Sequence, residues 1–182
     1  MLGTGTWEQR KLGNIASKVN EKNRNSEYRT VLTNSATKGI IRQTDYFDRK
    51  IAQNVENYYI VRDQYFIYNP RISVSAPYGP IRINRLGITG VMSPLYVVFS
   101  VNNIDNVFLE YFFKTSFWYK FMYENGDSGA RADRFAIKDN TFFSMPITIP
   151  ETKEQARIGK VLDRVDNLIA ANEYNLKNAL SI

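Results

Sequence analysis

The sequence contains neither cysteine nor histidine among its 182 residues. Their absence excludes disulfide bonds, thiol nucleophiles, zinc sites built on Cys or His, and catalysis by a histidine base. A chain without cysteine suits a reducing compartment, so we expect a cytoplasmic protein. No apolar run approaches the ~20 residues of a membrane span, and residues 1–6 lack the apolar centre of a signal peptide. We therefore expect neither membrane association nor export.

Catalytic motifs are also missing. The sequence has no glycine-rich phosphate loop, no dinucleotide fingerprint and no Asn/Asp-Pro-Pro-Tyr tetrapeptide of base-amino methyltransferases. Two acid-x-Lys pairs, Asp48 with Lys50 and Glu151 with Lys153, leave a metal-dependent nuclease as an alternative. Such pairs are common by chance, and Glu151 precedes a predicted helix, where acids are favoured. We therefore expect a non-catalytic chain that binds no metal or cofactor.

The positive charge is unevenly distributed along the chain. The net charge is +6; residues 1–150 carry 19 Lys and Arg against 13 Asp and Glu, whereas residues 151–182 carry five of each. The excess in the first segment predicts a polyanionic partner for that segment. Charge that serves only solubility is the alternative.

The first hundred residues read as one short helix followed by strands. Thr6 and Gln9 form the ends of a capping box, which predicts a helix carrying Trp7, Leu12 and Ile15. A polar loop, 18–27, follows. Short runs rich in β-branched and aromatic residues then predict strands, separated by Asn, Gly and Pro turns: Tyr28–Thr33, Tyr58–Val61, Tyr65–Tyr68, Ile81–Ile83 and Leu95–Val101.

Helical periodicity returns at residues 106–124. Aromatic and apolar side chains recur there at intervals of three and four, which predicts a single amphipathic helix whose rings belong to the core. Phe142–Ile149 reads as a last strand. The predicted fold class is therefore α+β: a β-rich domain with short helices at residues 1–150.

Residues 151–182 are predicted to form a long helix. Thr152 and Gln155 form a second capping box. A strict four-three alternation then marks a coiled-coil seam, made of Ile158, Leu162, Val165, Ile169, Asn172, Leu176 and Ala179. About 28 helical residues would extend ~42 Å, so we expect the helix to project and to pair with another helix. The alternative is a C-terminal helix folded back on its own domain.

Four segments, in this order, resemble target recognition domains of Type I restriction–modification specificity subunits. Trp7–Ile15 is similar to the family's Trp-x4-Leu-Gly-acid-Ile opening, and Tyr59–Asn69 to its central hairpin. Gly90–Phe99 resembles the G-x-x-S-P-x-Y-x-V-F strand. Pro146–Pro150 followed by Glu154–Ile158 resembles the junction into the conserved spacer helix. Together these segments span nearly the whole sequence.

The resemblance implies a DNA-binding specificity subunit without catalytic activity. It implies as partners double-stranded DNA, methyltransferase subunits that bind S-adenosylmethionine, and restriction subunits. Two departures from the family pattern stand out. Gln64 occupies a hairpin position that is usually glycine. A full subunit has two recognition domains and two spacer helices, whereas here there is one of each, so we expect a half-subunit or a fragment, pairing with itself through the C-terminal helix.

Three clusters of polar and basic residues are the predicted DNA-binding residues. Loop residues of this kind suit contacts to phosphates and base edges. They are Ser35, Thr37, Lys38 and Arg42; Arg71, Ser73, Tyr78, Arg82 and Arg85; and Ser128, Gly129, Arg131 and Arg134. For any one arginine, a solvated surface charge is the alternative. A stand-alone nucleic-acid-binding protein that reads RNA through its aromatic residues is a rival function.

Overall fold

The computed structural model describes residues 6–45, 54–127 and 133–179. Within them lie ten strands: β1 Glu8–Lys11, β2 Ala16–Lys18, β3 Leu32–Ser35, β4 Gly39–Arg42, β5 Tyr59–Val61, β6 Phe66–Tyr68, β7 Ile81–Ile83, β8 Gly90–Met92, β9 Val97–Val101 and β10 Pro146–Ile149. The α-helices among the described residues are α1 Asn106–Lys114, α2 Tyr119–Asn125, α3 Asp139–Phe143 and α4 Thr152–Ala179. Two 3-10 helices span Leu12–Asn14 and Gln43–Asp45. The α+β class predicted from the sequence is confirmed.

A four-stranded antiparallel sheet with the order β2-β9-β6-β7 separates two hydrophobic cores. Successive side chains of a strand point to opposite faces. Phe66 and Tyr68 of β6 therefore lie in the larger core, while Ile67 between them lies in the smaller one. The described residues also form three two-stranded pairs: β1 with β10, β3 with β4, and β5 with β8.

Aromatic side chains dominate the larger core. Phe66 stacks on Phe99 across the strand pair, with ring centroids 5.5 Å apart. Phe113 of α1 packs edge-on against both rings, and Trp118 donates its indole N–H to the Phe113 carbonyl oxygen. The prediction that the aromatic residues of segment 106–124 belong to the core is confirmed for Phe108, Phe113 and Trp118, all of them buried.

The predicted N-terminal helix is wrong. Residues 8–11 form β1, which pairs antiparallel with β10 in the register Glu8 to Ile149. The Leu12 N–H then donates to the Met145 carbonyl oxygen at 2.8 Å, and a single 3-10 turn leads into β2. A capping box is a local signal, and here pairing with a strand about 140 residues away overrides it.

The single helix predicted over residues 106–124 is two helices. Asp105 caps α1, its carboxylate accepting from the Phe108 N–H at 2.8 Å. At Thr115 the backbone becomes extended, and the side-chain hydroxyl donates to the Phe112 carbonyl oxygen.

Two predicted strands are shorter than expected. Helix α3 occupies the first part of the predicted strand 142–149. The predicted strand 28–33 likewise overlaps β3 only at Leu32 and Thr33.

Helix α4 packs on the domain with its first half and projects with its second. Gln155 makes no capping box: it is 2% exposed, accepts from the Asp105 N–H at 2.9 Å and donates to the Pro150 carbonyl oxygen at 2.8 Å. Gly159 is buried beside the start of α1, where an added Cβ would lie 3.2 Å from the Phe108 nitrogen. Every residue from 164 to 179 is exposed. Among the described residues, no helix combines the length and apolarity of a membrane span.

Candidate nucleic-acid interface

The β3–β4 hairpin shapes the first predicted cluster. Its turn, 36–38, returns the chain through Gly39, whose φ of +70° suits glycine because it has no Cβ. The Ser35 hydroxyl accepts from the Lys38 backbone N–H at 3.2 Å and closes the turn. Thr37 and Lys38 are exposed at the tip. The hairpin therefore presents Ser35, Thr37 and Lys38 together.

Asn69 joins this hairpin to the second cluster. Its side-chain amide donates to the Asn34 carbonyl oxygen at 2.9 Å, and its side-chain oxygen accepts from the Arg71 backbone N–H at 3.0 Å. Asn34 is itself buried and donates to the carbonyl oxygens of Ile67 and Pro80 at 2.9 and 3.1 Å. The hairpin base is thus bound to strand β6 and to the segment that follows it.

Backbone hydrogen bonds join the second cluster to the third. Arg71 and Arg134 form an antiparallel bridge. The Ile72 N–H donates to the Asp133 carbonyl oxygen at 3.0 Å, and the Phe135 N–H donates to the Pro70 carbonyl oxygen at 2.8 Å. The Arg71 side chain is 71% exposed, and its guanidinium lies 3.6 Å from the Asp133 carboxylate. Two arginines that are 63 positions apart in sequence are therefore neighbours.

A tight turn at residues 73–76 extends the same surface. Ser73 and Ala76 exchange two backbone hydrogen bonds, and the hydroxyls of Ser73 and Ser75 lie 3.3 Å apart. Ser73, Val74 and Ser75 are all exposed. We call the surface formed by residues 35–38, 69–76 and 133–134 the reading surface.

Four of the predicted residues lie elsewhere. The Arg82 guanidinium turns toward the hairpin, donating to the Ala36 carbonyl oxygen at 3.1 Å, and burial lowers its pKa. The Tyr78 ring packs edge-on against Tyr119 and Phe135, with centroids 5.2 Å away in both cases. Arg42 is exposed at the opposite end of β4 from the turn, ~10 Å along the strand from Gly39.

Arg85 is the fourth of these residues, and it forms ion pairs with side chains of α1 and α4. It pairs with Glu110 at 2.5 Å and with Asp163 at 2.8 Å. Burial alone would lower its pKa, but the hydrogen bonds to Asp163 and Glu110 raise it overall. Ser128, Gly129 and Arg131, and likewise Asp48 and Lys50, lie outside the described residues. Glu151 and Lys153 are both exposed at the start of α4. Whether the predicted DNA-binding residues contact DNA stays a prediction.

Two further residues of the reading surface are not among the predicted DNA-binding residues. Asn69 precedes Pro70 at the end of β6, and an Asn in such a position often bonds its own backbone two residues on. Val74 has no local signal of its own: its side chain is fully exposed at the tip of the 73–76 turn. An exposed apolar tip between two serines matches the apolar contact that proteins make with the thymine methyl group.

The predicted helix seam is exposed along most of its length. Ile158 is partly covered by the core, whereas Leu162, Val165, Ile169 and Leu176 are 36–63% exposed. Asn172 also lies on the exposed part. The seam thus begins beside the domain and runs onto the projecting half of α4, but the coiled coil itself stays a prediction.

The sequence matches the model of one known protein family. The sequence model of the Type I restriction modification DNA specificity domain matches residues 4–181. The chain belongs to this family. No curated protein matches it.

Two solved structures share the fold of this specificity domain. One is described as the structural basis of complex assembly and conformational transition of the type I R-M system; it matches with a TM-score of 0.64 and 12% identity over 95% of this chain and 45% of its own. The other is the HsdS subunit from Thermoanaerobacter tengcongensis, with a TM-score of 0.54 and 16% identity over 94% of this chain and 40% of its own. The specificity domain thus spans less than half the length of either structure.

Proposed function

We propose that this chain reads double-stranded DNA as the half-subunit, or a fragment, of the specificity subunit of a Type I restriction–modification enzyme. The observation that carries the proposal is the reading surface. Three segments separated by 30 to 60 residues in sequence meet there through hydrogen bonds made by Asn69, Arg71 and Ile72. Membership of the family supports the same conclusion.

The reading surface carries the chemical groups that such recognition needs. Arg71 and Arg134 are suited to phosphate or to the two acceptors of guanine, which a planar guanidinium contacts with two hydrogen bonds. Ser35, Thr37 and Ser73 supply hydroxyls that donate or accept, and these groups serve both phosphates and base edges. Affinity would come mainly from charge and specificity from the base edges.

The decisive experiment is to purify the chain with the methyltransferase subunits encoded beside it and to map the methylated bases of its host DNA. A defined methylated motif that disappears when the chain is deleted supports the proposal. Methylation that does not depend on the chain contradicts it. If the chain instead prefers single-stranded nucleic acid and binds no methyltransferase subunit, the alternative of a stand-alone RNA-binding protein is favoured.

We propose that partner subunits, and not this chain, catalyse methylation and cleavage of the DNA. Methyltransferase subunits would bind S-adenosylmethionine, and restriction subunits would cleave the DNA. The absence of methyltransferase and phosphate-loop motifs from the sequence supports this division. Purified chain, incubated with DNA, divalent cations and S-adenosylmethionine, should neither cleave nor methylate. Turnover that co-purifies with this chain alone would contradict the division.

Two copies are proposed to pair through α4. The exposed seam supports pairing, and two-fold symmetry lets each helix cover the other. Introducing charge with the double change Leu162→Glu and Ile169→Lys should dissociate the pair, because unpaired charges in an apolar seam are strongly unfavourable. Sedimentation velocity measures the result.

Tyr174→Lys is the matched control for this experiment. Tyr174 is 67% exposed on the same helix, but it lies about 160° around the axis from Leu176 at 3.6 residues per turn. The control should remain dimeric. A wild-type chain that is monomeric at tens of micromolar with methyltransferase subunits bound would refute the pairing.

A further inference from the structure

Val74 is a fully exposed apolar side chain on the reading surface. A single exposed valine is ordinary on a protein surface, so its exposure alone indicates no function. Its turn and its neighbours distinguish it. Ser73 and Ser75 are exposed on either side, and their hydroxyls lie 3.3 Å apart. Val74 is thus an apolar group at the tip of a turn, surrounded by polar and basic groups.

The loop that carries Val74 is closed at its base. The Asn69 N–H donates to the Pro80 carbonyl oxygen at 3.0 Å. Gly79 packs so closely against this base that an added Cβ would lie 2.0 Å from the Asn69 carbonyl oxygen. Ala76 is buried and accepts from the Gly79 N–H at 3.0 Å. These contacts hold the tip in place before a ligand binds, which lowers the entropic cost of any contact that the tip makes.

The shape and charge of the tip suit the major groove of DNA. Ser73 and Ala76 face each other across a two-residue turn, and the major groove, about 12 Å wide, admits a two-stranded ribbon. Arg71 and Arg134 lie beside this turn and outnumber the one carboxylate there, that of Asp133. The net positive charge favours the phosphates that border the groove.

We propose that Val74 is a specificity-determining residue that contacts the C5 methyl group of a thymine in the major groove of the target. The inference rests on the proposed function. A valine side chain has no hydrogen-bonding group, so it cannot recognise the donors and acceptors of a base edge. Among the groups that the base pairs present in the major groove, the thymine methyl is the apolar one. Contact between the two removes apolar surface of both from water.

The same side chain would disfavour the other bases. Cytosine presents an amino donor in the major groove, and adenine and guanine present N7 with a further polar group. Val74 placed against any of these would displace water without replacing its hydrogen bonds, which is unfavourable. Selection therefore comes both from the contact with the methyl group and from the cost of the alternatives.

Deoxyuridine tests this contact, because it pairs as thymine does but lacks the methyl group. Each thymine of a half-site in the mapped motif is replaced in turn by deoxyuridine, and fluorescence anisotropy measures the affinity of the assembled enzyme. At one position, wild type should bind about three- to fivefold more weakly, as expected for roughly one buried methyl group. Val74→Ala should bind the two duplexes with affinities that agree within about 1.5-fold, because the interacting partner is absent.

Leu86→Ala is the matched control. Leu86 is 39% exposed and follows the end of β7 that points away from the reading surface, since Ile81 at the other end pairs with Tyr68. This variant should distinguish thymine from deoxyuridine as wild type does. Circular dichroism should show that Val74→Ala folds normally, because the side chain is exposed.

The methylated motif gives a second, independent measurement. In a host whose only copy of the chain carries Val74→Ala, methylation should extend to sites with another base in place of that thymine. The remaining positions of the motif should stay unchanged. Sequencing of methylated DNA from this host and from the Leu86→Ala host measures both.

The outcomes separate this inference from the proposed function. A half-site without thymine, or wild-type affinity that deoxyuridine leaves unchanged at every position, overturns the inference. Equal discrimination by wild type and Val74→Ala overturns it as well, as does complete loss of specific binding by Val74→Ala, since one methyl contact accounts for only a few-fold. In all these cases wild type still binds its site and the proposed function stands. An assembled enzyme that binds no specific site contradicts the proposed function itself.

Discussion

Among the arginines predicted to bind DNA, the structure distinguishes those that face outward from those that serve the fold. Arg71 is largely exposed and lies next to Arg134 on the reading surface. Arg82 is partly buried and donates to the Ala36 carbonyl oxygen, so it supports the hairpin turn from below. Arg85 holds α4 through Asp163. Replacing Arg71 and Arg134 should therefore weaken DNA binding, whereas replacing Arg82 or Arg85 should lower the stability of the fold.

Replacing Arg71 and Arg134 together by alanine should weaken DNA binding by the assembled enzyme without unfolding the chain. If both contact phosphates, the slope of log affinity against log salt concentration should fall by about two, since each contact contributes ~0.9. If one contacts a base, affinity should drop by ~1–3 kcal/mol and one position of the target should become relaxed. Fluorescence anisotropy across a salt series measures both effects. Lys160→Ala, on the exposed side of α4, is the control and should leave DNA affinity unchanged. If the double variant binds DNA as tightly as wild type at every salt concentration, neither arginine belongs to the interface.

Gln64 occupies a position suited to glycine. Its φ is +64°, in the left-handed region that disfavours side chains by ~1–2 kcal/mol. Gln64→Gly should therefore raise the free energy of unfolding by roughly 0.5–1 kcal/mol, after allowing for the greater flexibility of glycine in the unfolded chain. Gln64→Ala keeps the strain and should show no gain. Urea denaturation compares the two, and a glycine variant less stable than wild type would refute this reading of the strain.

At the scale of elements, the contact between α1 and α4 sets where the long helix leaves the domain. Gln155 bonds the backbone on both sides, and the absence of a side chain at Gly159 allows close approach. Arg85 and Lys114 add ion pairs to Asp163 and Asp166. Hydrogen bonds of Gln155 and close packing at Gly159 attach the first turns of α4 to the domain. Ion pairs at the surface attach the turns that follow.

Gln155→Ala should lower the free energy of unfolding by about 2–4 kcal/mol. The change removes the hydrogen-bond partner of the part-buried Asp105 N–H and of the buried Pro150 carbonyl oxygen, at ~1–3 kcal/mol for each buried group that is left unpaired. Lys153→Ala, two residues away on the exposed face, should change stability by less than ~0.5 kcal/mol. Chemical denaturation followed by circular dichroism provides the measurement; equal effects of the two changes would show that Gln155 does not fasten the helix.

Asp166 should make the fastening of α4 sensitive to acid. Its pKa is held below the ordinary 3.8, first by the hydrogen bond from Tyr111 at 2.8 Å and then by Lys114. A carboxylate with a lowered pKa in the folded state stabilises that state above its ordinary pKa, and the contribution is lost as the pH falls through the lowered value.

The difference in stability between wild type and Asp166→Asn should therefore be present at neutral pH and shrink below pH 4. It should stay under ~1 kcal/mol, because the pair is exposed. Urea titrations at pH 7 and pH 3 measure it. Glu173→Gln, an exposed change on the projecting half of α4, should show no such pH dependence. A difference that persists unchanged at pH 3 would contradict this role of Asp166.

At the scale of the whole molecule, the proposed pairing through α4 would set the geometry of the DNA target. The proposed two-fold pair of helices would hold two identical reading surfaces apart. The α4 helix of 28 residues measures ~42 Å, more than one turn of DNA at ~34–36 Å. If two copies pair as proposed, this length would separate the two half-sites by bases that neither domain contacts.

The methylated motif should therefore be an interrupted palindrome, because two-fold protein symmetry is mirrored in the DNA site. Inserting seven residues, two helical turns, into the projecting half of α4 should change the number of bases between the half-sites and leave the half-sites themselves unchanged. Sequencing of methylated DNA reads out both. A motif with two unrelated halves would contradict the symmetric pair.

The sequence by itself determined what depends on local pattern and composition. The charge excess of residues 1–150, the α+β class and the long helix from Thr152 all follow from counts and periodicity. The approximate positions of β5, β6, β7 and β9 also follow, because strand propensity and flanking turn residues are local signals.

Only the tertiary structure decided how these pieces combine. The segment after Thr6, predicted to be helical, forms a strand because it pairs with β10. Gln155 became a bridge and not a cap because the start of α1 lies beside it. The meeting of Arg71 with Arg134 depends on contacts between segments far apart along the chain. Such contacts leave no periodic trace in either segment, since each residue's role is set by a neighbour that the local sequence does not contain.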